Sequence, residues 1–276
     1  MPIGLTLRVA RSMFTRPGTR SYGPDRNQVA DFYLPSGTPP DGGFPVAVLL
    51  HGGYWRTQYG KNTCRPLAER LRSRGFAVWN VEYRRVGPGR KGGGGWPATF
   101  DDVATALDLL ARLPEPLDLS DVTVLGHSAG GQLALWAARR TQLTAGAVGA
   151  DPVVRPARVI ALAPVTHLAG AGDAALALMG SSRAEDPDGW QQADPSAAPP
   201  PPVPTLVVHG RDDQTISVAR SEQYVTACRA AGAPVELADP ADEGHMHVIL
   251  PTSRCWTAVE DWLRNAREGL AQRPNR

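Results

Sequence analysis

The chain has 276 residues, 42% of them hydrophobic, enough to bury a substantial core in one α/β domain spanning 1–276 rather than in two small ones. Its 29 basic and 27 acidic residues leave a formal charge of +2 and are spread along the chain, which argues against a nucleic-acid partner. No apolar run is long enough to span a bilayer, and residues 1–18 mix arginines with short apolar pieces instead of forming a secretion signal, so the expected setting is cytoplasmic, with no membrane contact.

In chain order, 29–34 alternates as an early strand, and a Pro/Gly loop over 35–44 leads to the apolar run 45–50, a buried strand. A helical pattern over 63–74 ends at Gly75, and 76–81 is the next buried strand. Val103, Ala106, Leu107 and Leu110 then recur at helix spacing, with Asp101 and Asp102 in the first turn. The stretch 122–125 is a strand, followed by a helix from Ala129 that carries Leu133, Ala134, Trp136 and Ala137. Further strands lie at 159–162 and 206–208, and helices at 218–231 and 255–267 flank the short extended piece 235–238. Such alternation predicts a mainly parallel central sheet flanked by helices, with sites at the carboxyl ends of the strands. The stretch 166–204 breaks it; we expect a small cap insertion over the site, with the prolines of 199–202 as hinge or strut. The glycines of 92–95 are a second candidate for mobility, or a plain turn.

Leu125-Gly126-His127-Ser128-Ala129-Gly130-Gly131 places a serine between glycines, after a strand and before a helix. This nucleophile elbow is a strained turn that exposes the hydroxyl beside a helix N-terminus, where negative charge is favoured. In a chain with 29 glycines the pattern also arises by chance, around an ordinary turn serine. A nucleophilic serine needs a base, a carboxylate to orient the base, and donors for the oxyanion. His245, in the loop Glu243-Gly244-His245-Met246-His247, is the candidate base, with His247 as its competitor. Asp213 is the candidate carboxylate, from its four-residue offset after His209, with Asp212 beside it as the alternative. The order Ser, Asp, His is a known order for such a triad.

His51-Gly52-Gly53-Tyr54-Trp55 follows the strand that ends at Leu50, and its two glycines let backbone N–H groups turn into the site. The oxyanion donors are therefore expected at Gly53, Tyr54 and Ala129. Tyr54, Trp55 and His127 are candidate substrate contacts, although the two aromatics also read as packing residues. His51, His127 and His209 stand at strand ends, where a histidine more often bonds the loop backbone than acts as base, and His167 falls in the cap stretch. Cys64, Cys228 and Cys255 are odd in number and far apart, which fits buried thiols in a reducing compartment better than disulfides or metal ligands. There is no zinc spacing, P-loop or dinucleotide fingerprint, so no metal and no cofactor is expected.

With HGGYW at 51–55, GHSAGG at 126–131, HGRDD at 209–213 and the late GH at 244–245, the chain resembles the α/β-hydrolase superfamily over most of its length. With Asp31-Phe32-Tyr33-Leu34-Pro35 ahead of HGGYW, it looks like the esterase and kynurenine formamidase-like branch, whose members hydrolyse carboxylic esters or an aryl N-formyl amide. The resemblance implies Ser128 as nucleophile, Asp213 as acid, His245 as base, and Gly53, Tyr54 and Ala129 as oxyanion donors. Glu82-Tyr83-Arg84-Arg85 takes the place of the family's strand-end DYR, a structural element. HGRDD is closer to oligopeptidase-like and general esterase members. The expectation is a hydrolase of small or medium carboxylic esters acting on a small-molecule substrate, with a homodimer left open. The alternatives are an arylformamidase, a peptidase, or a noncatalytic binding protein of the same fold.

Overall fold

The computed structural model describes residues 17–271; the reading of the first residues as lacking a signal falls, for 1–16, outside them. Eight strands form one sheet: β1 (Gly18–Ser21), β2 (Val29–Tyr33), β3 (Phe44–Leu50), β4 (Ala77–Val81), β5 (Leu117–His127), β6 (Arg158–Leu162), β7 (Thr205–Val208) and β8 (Val235–Ala238). Their order is β1-β2-β4-β3-β5-β6-β7-β8. β2 runs antiparallel to both β1 and β4, and every pairing from β4 through to β8 is parallel.

Seven α-helices lie among the described residues: α1 (Arg65–Ser73), α2 (Ala98–Leu109), α3 (Ala129–Ala138), α4 (Asp173–Met179), α5 (Pro187–Ala193), α6 (Val218–Ala230) and α7 (Arg254–Ala271). β3 shows how they are distributed. Val46, Val48 and Leu50 pack with residues of α2, α3 and α6, whereas Ala47 and Leu49 pack with residues of α1 and α7. Successive side chains of a strand point to opposite faces, so a sheet covered on both sides needs apolar residues at every position, and all seven residues of β3 are buried. α3 is buried all round, as expected of a helix apolar on every face. None of the described helices is long and apolar enough to cross a membrane.

Register levels the carboxyl ends of the central strands. Leu50 stands opposite Gly126, His127 opposite Leu162, and Leu162 opposite Val208. His51, Ser128 and His209, each the next residue after its strand, therefore emerge along one rim.

The stretch 166–204 holds α4 and α5 and is fastened to α3. Gln132 Nε2 donates to the carbonyl of Ala193 at 2.7 Å, and Arg139 Nη2 to that of Gln192 at 2.9 Å. Pro199 and Pro200 in turn accept from Arg139 and Gln142 through their carbonyls. Within the stretch, Asp186 caps α5 by accepting from the N–H of Gly189 at 2.9 Å, with Pro187 in the first turn.

On the opposite face, Glu260 of α7 is tied to α1. It accepts from Arg70 Nε at 2.5 Å, Arg74 Nη2 at 2.7 Å and Trp256 Nε1 at 3.0 Å. Burial alone would raise its carboxyl, but hydrogen bonds from Arg70, Arg74 and Trp256 pull it from 4.5 to about 2. A carboxyl held lower in the folded state adds stability that is complete above its unfolded value and is lost as pH falls through its folded one. Glu260→Gln is therefore predicted to cost about 1 kcal/mol at neutral pH after solvent screening of the exposed arginines. Paired thermal melts should show that difference narrowing as pH falls from 4.5 towards about 2; a pH-independent difference would show that charge is not its source.

Candidate active site

Ser128 joins β5 to α3 with φ 53° and ψ −115°, a backbone conformation that costs an L-residue on the order of 1–3 kcal/mol. The surroundings hold it there. Its N–H donates to Leu162 O at 2.8 Å, and its carbonyl accepts from the N–H groups of Gly131, Gln132 and Val165. A Cβ at Gly126 would strike the backbone of Gly130, and one at Gly130 would strike the carbonyls of Leu50 and His51. The spacing of glycines around the serine is thus a packing condition of the turn.

The HGGYW loop passes directly beside this turn. A Cβ at Gly52 would stand 2.8 Å from His127 Nδ1 and 3.1 Å from Ser128 Cβ. Gly53, Tyr54 and Trp55 follow at φ 115°, 56° and 55°, so three consecutive residues turn left-handed. Among the described residues, the N–H groups of Gly53, Tyr54 and Ala129 donate to no protein acceptor. Backbone donors without internal partners beside a serine hydroxyl suit the charge that develops on an attacked carbonyl oxygen.

Glu82, Tyr83 and Arg85 brace the loop from behind, matching the structural reading of that segment. His51 Nε2 meets Glu82 Oε1 at 2.8 Å and its Nδ1 meets Gly52 O at 2.7 Å, while its ring stacks on Tyr83 at 4.3 Å. Tyr83 Oη donates to His51 O at 2.7 Å. Arg85 pairs with Glu82 at 3.1 Å and donates to Tyr59 O. Burial would raise the Glu82 carboxyl, but His51 and Arg85 hold it below its usual range.

Asp213 and His245 meet because their loops are stitched together. Asp212 N–H donates to Glu243 O at 2.9 Å, and the Glu243 carboxylate accepts from the N–H groups of Arg254 and Cys255 at 2.7 Å each, anchoring the His245 loop on α7. His245 Nδ1 then lies 2.7 Å from Asp213 Oδ2. The carboxylate also accepts from the N–H groups of Thr215 and Ile216 at 2.7 and 2.9 Å. His209 Nε2 is a further partner at 3.0 Å. Burial opposes the charge, yet the donors from His209, His245 and Ile216 hold the Asp213 carboxyl well below the usual carboxylate range. Asp212 is exposed and its carboxylate makes none of these contacts, and the exposed His247 accepts from the N–H of Gly244 at 2.8 Å.

His209 is the residue whose part motif reading missed. It does bond loop backbone, at Ile216 O, as expected, but it also bonds Asp213. Its Nε2 faces two acceptors and must carry a proton, which leaves Nδ1 to accept from Ser221 Oγ at 2.7 Å in the neutral ring. The only available signal was the same four-residue offset that pointed to Asp213.

Tyr54, Trp55, Ser128 and Ala129 line a cavity of about 450 Å3 together with Thr166, His167, Ile216 and Arg220, a size suited to small molecules. Tyr54 is 47% exposed, whereas Trp55 is buried and donates from Nε1 to Gln132 Oε1 at 3.1 Å; it is a wall fixed into the core. Gly53 and His127 stand outside the lining residues. His127 lies behind the site, with Nε2 3.1 Å from His245 O and its ring 4.8 Å from that of His245. Burial, then the neighbouring His245, push it down to about 3, so it is neutral, and the structure gives it contact with His245 rather than with the cavity. The three cysteines are unpaired and buried, and burial pushes the Cys64 thiol up to about 12. Among the described residues no cluster of His, Cys, Asp and Glu is arranged to hold a metal ion.

Comparison with known proteins bears on the same elements. Dipeptidyl peptidase family member 6 of Caenorhabditis elegans is 30% identical over 239 residues, covering 77% of this chain and 31% of that protein. Esterase LipQ of Mycobacterium tuberculosis is 26% identical over 266 residues, covering 88% of this chain and 60% of that protein. The chain thus spans less than two thirds of the length of either relative. Among solved structures, the butyrate-bound esterase Est2 of Thermogutta terrifontis matches with a TM-score of 0.70 at 20% identity, covering 96% of this chain and 97% of that one. That likeness shows the α/β-hydrolase fold. The BD-FAE family matches residues 30–227, a span that runs from β2 through the HGGYW loop and the serine turn into α6, and the chain therefore belongs to the BD-FAE family.

Proposed function

We propose that this chain hydrolyses small or medium carboxylic esters through an acyl-enzyme, with Ser128 as nucleophile, His245 as base and Asp213 as the carboxylate that orients it. The reading is carried by one observation: the pairing of Asp213 with His245 Nδ1 on the rim that bears the strained serine. With Nδ1–H committed to the carboxylate, Nε2 is the ring atom free to accept a proton. The Ser128 hydroxyl attacks the ester carbonyl while its proton passes to Nε2, and the carbonyl oxygen takes the charge. Tyr54 and Ala129, at the cavity wall, donate to it through their N–H groups, with Gly53 beside them. The bond from carbonyl carbon to alcohol oxygen then breaks, and the departing oxygen takes the proton from His245. Water adds to the acyl group, gives one proton to Nε2 and keeps the other on the new acid, and the collapse returns the first to Ser128 Oγ and frees the acid.

Membership of the BD-FAE family and the esterase name of the LipQ relative support this reading, and the butyrate in Est2 suits a short acyl group. In the same reading 1–276 is one domain and 166–204 its cap, the unpaired cysteines suit a reducing, cytoplasmic setting, and the substrate is a small molecule. The test is kcat/KM on 4-nitrophenyl esters of increasing acyl length and on N-formylkynurenine, each with a Ser128→Ala control. Serine-dependent preference for the esters supports the proposal, and a large preference for the formamide replaces it with an arylformamidase.

His209 is a positioning residue here, acting on substrate only through Asp213. His209→Phe, which removes the donor, is expected to lower kcat/KM by about tenfold or more, the order of a lost charge-assisted hydrogen bond. His209→Gln retains an N–H and should recover part of it. Equal losses in the two variants would assign His209 to packing alone.

A further inference from the structure

We propose that Arg220 selects esters that carry a carboxylate at the end remote from the scissile bond; this rests on the ester-hydrolase reading above and names its substrate class. Arg220, in the first turn of α6, lines the cavity beside Ser128. It also lines a second cavity of about 400 Å3, which shares Thr166, His167 and Arg220 with the first. No Asp or Glu lines either cavity. The guanidinium has no ion pair among the described residues, whereas Arg211 nearby in sequence is paired with Asp239 at 2.7 Å. The other titratable side chain common to both cavities, His167, is engaged with Ser196 Oγ at 2.8 Å and lies 3.6 Å from Asp194.

The backbone of this arginine is tied to the neighbouring stretch, and its side chain reaches back across it. Thr166 Oγ1 donates to its carbonyl at 3.2 Å, tying the start of the cap stretch to α6. Its side chain crosses to the turn 168–171, where a Cβ at Gly170 would strike Nη1. The cation therefore stands where the two cavities meet, with no acid of the protein lining either side. A guanidinium presents paired N–H donors in the geometry of a carboxylate, so a substrate that enters past Arg220 gains most by bringing that group with it.

The experiment compares mono(4-nitrophenyl) adipate with its methyl ester, which has the same reacting carbonyl and almost the same length but no charge. The intact protein should favour the free acid in kcat/KM by about tenfold, and added salt should shrink the preference. Arg220→Gln should abolish that preference and Arg220→Lys should keep part of it. A ratio unchanged in Arg220→Gln would overturn the proposal while leaving the ester-hydrolase reading intact. Binding of the same two compounds to Ser128→Ala protein, by calorimetry, decides the matter independently of turnover. Tighter binding of the acid that disappears in the Ser128→Ala, Arg220→Gln double variant supports the anion site even if both esters prove inert; equal binding refutes it.

Discussion

Ser128→Ala is expected to lower kcat for ester hydrolysis by about 10^6-fold, the scale on which loss of a triad serine acts elsewhere, with little change in melting temperature. Alanine keeps the Cβ and the strained backbone, and loses only the hydroxyl. The turn is held by main-chain bonds to Leu162, Gly131, Gln132 and Val165, none of which uses that hydroxyl. Ser128→Gly is equally inactive in this account but relieves the strain at φ 53°, a gain of about 1 kcal/mol that corresponds to about 2–4 °C in a chain of this size. Kinetics and thermal melts on the three proteins check both statements. Serine-independent turnover would remove the elbow from the mechanism, and a glycine variant less stable than the alanine one would show that the turn stores no strain.

Asp213→Asn is expected to reduce kcat by about 10^4-fold, because an amide cannot hold His245 in the tautomer with Nε2 bare. Asp212→Asn, at an exposed position, should stay within about twofold, as surface changes remote from such features usually do. The reverse ranking would move the acid by one residue. The same pair of variants separates their contributions to stability. Asp213 is held below the usual carboxylate range in the fold, so its stabilisation is complete above the unfolded value of about 3.9 and is lost as pH falls through the lower folded value. Acid unfolding of the parent protein should therefore steepen below that point, and the Asp213→Asn protein should lack this component.

Strands buried on both faces read as continuous apolar runs, and for that reason β3, β4, β6 and β7 were legible in the sequence to within a residue or two. β1 was not. Its four residues are all exposed and none is apolar in side chain, and it exists by pairing antiparallel with β2, a long-range fact with no local signature. β5 begins earlier than its apolar part suggests, at Leu117, because β3 pairs with it across an irregularity beside Pro45 and Val46. α5, with three polar residues among seven, gave no periodic signal, although Asp186 and Pro187 mark its start. At the site, spacing was enough to single out Ser128, since glycine is sterically required around it. Spacing after His209 favoured Asp213 over Asp212 but carried no physical reason for it, because which of them faces His245 depends on the stitching of the 212 and 243 backbones. Arg220 carried no motif at all; its position depends on where the stretch from Thr166 lies against α6.

The anchoring of that stretch also decides what can be exchanged between relatives. Gln132 receives the indole N–H of Trp55 from the HGGYW loop and gives its own amide to Ala193, while Arg139 serves Gln192 and Pro199. Gln132 of α3 and Arg139 at its C-terminal end thus act as sockets into which the far end of the 166–204 stretch plugs. A recombinant chimera that imports a foreign 181–204 onto this scaffold inherits sockets cut for the native plug, so the transplant and the helix must travel as one cassette for a new pocket shape to be carried over intact.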